Sequence, residues 1–230
     1  MKGKIFMNFT VSDEVLNLGL KVAIVLIKDM HNSKSNDEFN SFKQTMLNEI
    51  KNDLSEDKIL NDRTLNGFWK LHEKVGKTSK KDKSSPENLL YMLLNNETIP
   101  TINLIVDIYN LVSIKTRLAL GAHDLYNIDG NVNLRLTNGT EYFLPIGYEK
   151  PKVVSKGEYA YIDDANHILC RMEVRQVEKT KVLESTQDCM YIIQGNEFVD
   201  NEQIKEAVDM LIELTTKYCG GSAEIIYKQY

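Results

Sequence analysis

Apolar residues recur along this chain at strand spacing, then at helical spacing, then at strand spacing again. Residues 4 to 9 and 20 to 27 are rich in β-branched and aromatic side chains and read as strands, the second apolar enough for burial on both faces. Between Ser35 and Leu60 the pattern becomes charged and helical, with Phe39, Phe42, Met46, Leu47 and Ile50 on one side. A helix over Asn66 to Val75 carries Phe68, Trp69 and Leu71 and stops at Gly76. Ser85-Pro86-Glu87 opens the next, with serine as N-cap and proline in the first turn, and Pro100 closes it. From Thr101 a further helix is apolar nearly all round, through Ile102, Leu104, Ile105, Val106, Ile108, Leu111 and Val112, which predicts burial.

Beyond Asp124 the pattern shortens to alternating segments, 131 to 136, 141 to 146, 158 to 162, 167 to 173 and 189 to 194. Asn138-Gly139 signals a hairpin turn and residues 163 to 166 a looser one. Asn201 to Tyr218 is an amphipathic helix with Ile204, Val208, Leu211, Ile212 and Leu214 inward, halted by Gly220-Gly221, and residues 223 to 227 return as a last strand. Helices followed by strands, without βαβ alternation, predict an α+β fold. No repeat or Pro/Gly linker divides the chain, so residues 1–230 form one domain with a helical N-terminal portion over 1–65.

Composition narrows the function classes. A hydrophobic share of 42% with 27% charged residues is that of a globular protein with a sizeable core. Cys170, Cys189 and Cys219 lie in no metal-binding or disulfide spacing, so a reducing cytoplasm is the expected compartment, with no metal. The apolar run from Leu16 to Ile27 is shorter than the ~20 residues of a membrane span and contains Lys21, so no membrane role is expected. With 28 basic and 33 acidic residues the net charge is −5, so any RNA contact rests on a local patch and is weak. No phosphate-binding loop, dinucleotide fingerprint, zinc-protease motif or nucleophile elbow occurs, so no cofactor is expected and a complete ATP-dependent ligase is excluded.

Candidate chemistry gathers around the buried helix. Asn103, Asp107 and Asn110 fall at i, i+4 and i+7, one line of polar groups that needs partners, either neighbouring loops or a ligand. Gly121 follows in what reads as a turn, and His123 just after it either hydrogen-bonds that turn or is aimed into a cleft. Lys77, Lys80, Lys81 and Lys83 form a basic run, either a solvated loop or a phosphate contact. Residues 173 to 181 mix charge with Val174 and Val177, as a solvated strand edge does.

In order, FWKLHEKVG, SSPENLLYMLLNNETIP, INLIVDIYNLVS, LGAHDLYNIDGNVNLRL, GEYAYIDDANHILCR and TKVLESTQD resemble the B3/B4 tRNA-editing module of the bacterial phenylalanyl-tRNA synthetase beta chain. The resemblance spans residues 66–221 and implies a mixed or antiparallel, barrel-like sheet flanked by helices. It implies a trans-acting hydrolase of mischarged aminoacyl-tRNA whose partners are tRNA and an aminoacyl group. The family's threonine-asparagine pair falls on Tyr109 and Asn110, its histidine on Gly121 with His123 two residues on, and its pocket carboxylate on Glu178. On this reading Asn110 and His123 are catalytic. Asn103, Asp107, Tyr109, Gly121 and Glu178 bind substrate, and the four lysines meet RNA. The alternatives are a binding module for an amino acid or RNA without hydrolysis, and an interaction domain whose cleft Tyr109 fills.

Overall fold

Two open sheets, not one barrel-like sheet, organise the computed structural model, which describes residues 7–79 and 82–230. The first sheet has the order β1-β4-β5-β6-β7, formed by Phe9–Val11, Val132–Leu136, Tyr159–Asp163, Ile168–Arg171 and Arg175–Gln176. Its β1–β4 pair is parallel and the others are antiparallel. The second has the order β3-β8-β2-β9, formed by Ala119–Asp124, Cys189–Gly195, Lys21–Lys28 and Ser222–Gln229, all antiparallel. The α+β expectation holds. The barrel does not, because neither strand order closes on itself among the described residues.

Strand periodicity sorts β2 into two cores. Ala23, Val25 and Ile27 face a cluster shared with helices, whereas Val22, Ile24 and Leu26 face a cluster shared with the first sheet. The result is three layers with the second sheet in the middle, which is why β2 and β8 are apolar on both faces. The helical layer consists mainly of α2 (Asp37–Asn52), α3 (Glu56–Leu60), α5 (Ser85–Asn96), α6 (Leu104–Thr116) and α7 (Asn201–Cys219), with the short α1 (Asp13–Leu16) and α4 (Arg63–Lys74) elsewhere.

Several element boundaries differ from the sequence expectation. The first strand starts only at Phe9, and residues 4–6 lie outside the described ones. The segment from Ser35 to Leu60 is two helices, because Ser55 turns extended and caps α3 by accepting from Lys58 N–H. Ser84, not Ser85, is the residue before α5. Residues 141–146 make only isolated bridges, Tyr142 with His167 and Pro145 with Val177, since Pro145 has no N–H for a ladder. Asn138-Gly139 is therefore no hairpin turn; its N–H groups bind the Glu141 carboxylate at 2.9 and 3.0 Å, and β4 pairs with β5 instead. The looser hairpin at 163–166 forms, with Asn166 at φ 62°. Among the described residues no helix is long and apolar enough to cross a membrane.

Candidate functional site

The polar line expected along α6 separates into three fates. Asn103 stands just before the helix in extended conformation and caps it, its Oδ1 accepting from Val106 N–H at 3.1 Å and from Asn32 Nδ2 at 3.1 Å. Asp107 is sealed in an ion pair with Lys43 at 2.9 Å and accepts Ile102 N–H at 2.9 Å. Both bind the helix to its own surroundings, and neither lines the cavity beside it. Asn110 alone opens onto a cavity, half-buried, and its amide has no side-chain hydrogen bond among the described residues.

That cavity, of about 220 Å³, lies between α5, α6, the β3–β8 pair and the segment from Cys170 to Gln176. Its mouth is formed by the exposed Asn88, Met92 and Arg175, and its depth by buried Tyr161, Met172, Glu173 and Gln194. Ser85 N–H donates to Glu173 O at 3.0 Å, which ties the start of α5 to the far wall. Tyr109 forms part of the wall and does not fill the space. Burial lifts the pKa of its hydroxyl well above the ordinary phenol range.

Gly121 and His123 lie within β3, not in a turn, because β3 continues to Asp124 in register with β8. Gly121 lines the cavity, and a β-carbon there would stand 2.1 Å from Gln176 Nε2. Glycine thus leaves room for a carboxamide to cross the strand. His123 is fully buried and does not reach the cavity. Its Nδ1 lies 2.7 Å from Thr180 Oγ1, and burial pushes its pKa down to about 3, so near neutral pH it carries no proton to donate from a charged form.

Glu178 lies outside this space. Its carboxylate pairs with Lys181 and accepts Gly147 N–H at 3.4 Å, half-exposed. The cavity carboxylate is Glu173, five residues earlier. It receives Tyr159 Oη at 2.6 Å and Gln194 Nε2 at 2.8 Å on one oxygen, and His72 Nε2 on the other. Burial pulls the His72 pKa down, but the charge and hydrogen bond of Glu173 outweigh it and leave the group raised.

Of the basic run, Lys77 pairs with Glu158 at 2.7 Å, and Lys83 lies 3.5 Å from Glu87 and over the Tyr91 ring. Lys80 and Lys81 lie outside the described residues. The cation at the mouth is Arg175, exposed and without a carboxylate partner among the described residues. Nothing in the sequence singles out Glu173, Arg175, Gln176 or Gln194, since residues 173–176 look like an ordinary solvated edge. Asp129, Asp163 and His167 lie close enough together to share a cation, but Lys179 Nζ already occupies that position, 3.2 Å from Asp163 and 3.1 Å from His167 Nδ1.

The sequence model of the B3/4 domain matches residues 70–220. A search of curated proteins returned no match. Among solved structures, an N-terminal fragment of the phenylalanyl-tRNA synthetase beta-subunit from Pyrococcus horikoshii superposes with a TM-score of 0.50 at 12% identity. The alignment covers 97% of this chain and 52% of that one, so the chain spans about half the length of the fragment. At that identity the likeness is one of fold.

Proposed function

The chain belongs to the B3/4 domain family, and from that premise we propose that it binds the aminoacylated end of a tRNA in the cytoplasm and hydrolyses the ester of a wrongly attached amino acid. The observation that carries this reading is the unpartnered Asn110 carboxamide beside Gly121 and Arg175, at the entrance of a cavity of about 220 Å³. An aminoacyl ester is already activated, so a positioned water and donors for the developing oxyanion suffice without a covalent nucleophile. Water adds to the ester carbonyl, the bond to the ribose oxygen breaks, that oxygen takes a proton, and the free amino acid leaves. Asn110 is suited to hold the water or the carbonyl. Arg175 is suited to the negative charge, whether on the oxyanion or on the terminal phosphate.

The purified chain, incubated with a panel of mischarged tRNAs, is expected to release free amino acid faster than buffer does. No acceleration across the panel would refute hydrolysis. A second reading, a binding module without hydrolysis, is favoured by two features. His123 is sealed away, and the carboxylate of Glu173 is fully engaged by Tyr159, Gln194 and His72. Under that reading the parent chain binds the aminoacyl end without releasing amino acid and Asn110→Ala weakens that binding, whereas under the first Asn110→Ala lowers turnover by about 100-fold.

A further inference from the structure

Between β4 and β5 the chain from Phe143 to Lys152 leaves the sheets, yet it is tied down along its length. Lys152 N–H donates to Phe143 O at 2.8 Å and closes the loop, and Phe143 and Val154 anchor it in the core. Inside it Tyr148 N–H donates to Pro145 O at 3.1 Å, a turn whose third residue, Gly147, sits at φ 82°, where a side chain would be strained. The loop runs beside residues 176–178. Ile146 N–H donates to Gln176 O at 3.0 Å and Glu178 N–H to Leu144 O at 2.8 Å. Since Gln176 lines the cavity and Arg175 stands at its mouth, the loop continues the rim of the site.

Every residue from Ile146 to Val153 is exposed. Tyr148 keeps 42% of its surface open to water and Ile146 40%, and Lys152 Nζ lies 4.6 Å from the centre of the Tyr148 ring. Lys150, Lys152 and Arg175 have no carboxylate partner among the described residues. The adjacent Glu178 is already bonded to Lys181 and Gly147 N–H. Two lysines and Arg175 against Glu149 give this rim a net +2, in a chain whose net charge is −5.

An apolar protein partner would cover Ile146 and Tyr148 but strip water from three unpaired cations. A single-stranded polyanion uses both features, because its bases stack on an exposed ring and its phosphates take the cations. The other mouth residues, Asn88 and Met92, are uncharged, so the favourable path for phosphates leaves the cavity past Arg175. Resting on the reading of the cavity as an aminoacyl site, we propose that the loop from Phe143 to Lys152 is a platform for the unpaired nucleotides that precede the ester. A base stacks on Tyr148, Lys150 and Lys152 meet phosphates, and Arg175 joins this platform to the cavity. Because the loop is held in place before the strand arrives, little of the binding energy goes into ordering it.

The test is fluorescence anisotropy on the full chain with a labelled six-nucleotide single-stranded RNA ending in CCA, compared with a blunt RNA duplex. The single strand is expected to bind at least ~10-fold more tightly than the duplex, whose bases are not free to stack on the ring. Tyr148→Ala is expected to weaken strand binding by roughly 10-fold or more with the melting temperature unchanged, and Tyr148→Phe to restore it, since the ring and not the hydroxyl stacks. Joint Lys150→Ala and Lys152→Ala replacement is expected to lower the salt slope by about one unit or slightly more. Unchanged affinity in Tyr148→Ala, an unchanged slope in the double variant, or equal binding of the duplex overturns the proposal. So does failure of the parent chain to bind the strand, which would leave the loop to a protein partner. Strand binding with the expected pattern but without ester hydrolysis removes only the hydrolase reading. Ester hydrolysis with strand affinity indifferent to Tyr148 removes only the platform.

Discussion

At position 121 a β-carbon would stand only 2.1 Å from Gln176 Nε2, so even a methyl must displace that carboxamide. The displaced atom is the end of a flexible, half-buried side chain, so the fold tolerates the change while the cavity wall does not. Gly121→Ala is expected to lower stability by less than about 1 kcal/mol in urea melts, yet to weaken aminoacyl-tRNA binding by about tenfold or more. Unchanged affinity would show that Gln176 is not part of the binding wall. Arg175 makes a complementary case, because it is exposed and has no carboxylate partner among the described residues. Arg175→Ala is expected to leave the melting curve within about 0.5 kcal/mol of the parent and to reduce the salt dependence of tRNA binding by about one unit of slope. An unaltered slope in a titration over salt concentration would take Arg175 out of the RNA contact.

Helix α6 is held by charge as well as by packing. The Lys43 and Asp107 side chains are 7% and 3% exposed, so removal of the cation leaves a buried carboxylate with only the Ile102 N–H. Lys43→Ala is expected to cost on the order of 3–5 kcal/mol, read from chemical denaturation, whereas Lys43→Arg keeps most of the stability if the guanidinium fits. A loss below about 1 kcal/mol would mean that water reaches Asp107. The same helix illustrates what a linear reading of the chain contains. Its all-round apolar pattern predicts burial, and Ile105, Ile108, Leu111 and Val112 are buried. Its polar line misleads, because an asparagine ahead of an apolar run is as readily a cap as a helical residue, and Asn103 is the cap. The cavity floor is not legible at all. Glu173, Gln194 and Tyr161 come from three separate segments, and each is locally an unremarkable strand or edge residue until the sheets stack. The run of β2 is legible, because a strand covered on both faces is apolar along nearly all of its length.

Across the whole molecule, two buried histidines give stability opposite dependences on pH. His123 has a folded pKa of about 3 against 6.5 in the unfolded chain, so below pH 6.5 the unfolded state binds the extra proton. Its contribution is complete above pH 6.5 and is lost as pH falls toward 3, by up to about 1.4 kcal/mol per pH unit. His72 is raised, so its contribution is complete below pH 6.5 and is lost as pH climbs through its folded value. At lower pH the carboxylate of Glu158 adds to the acid loss: burial raises its pKa, but Lys77 and Arg171 hold it below the usual range. Between pH 6.5 and about 5 the decline is expected to be dominated by His123, and His123→Gln is expected to flatten it. An equally steep decline in the variant, followed by urea midpoints across that window, would assign the acid sensitivity elsewhere.

The place of β2 between β8 and β9 has a consequence for biogenesis. Ile24 faces Ile192 on one side and Tyr227 on the other, so this strand joins partners made about 170 and about 200 residues after it. At the usual pace of a ribosome the stretch Val22–Ile27 waits on the order of ten seconds before either neighbour exists. During that interval it is a bare, uncharged β-forming segment, the kind of sequence that chaperones shield and that aggregates when they are scarce.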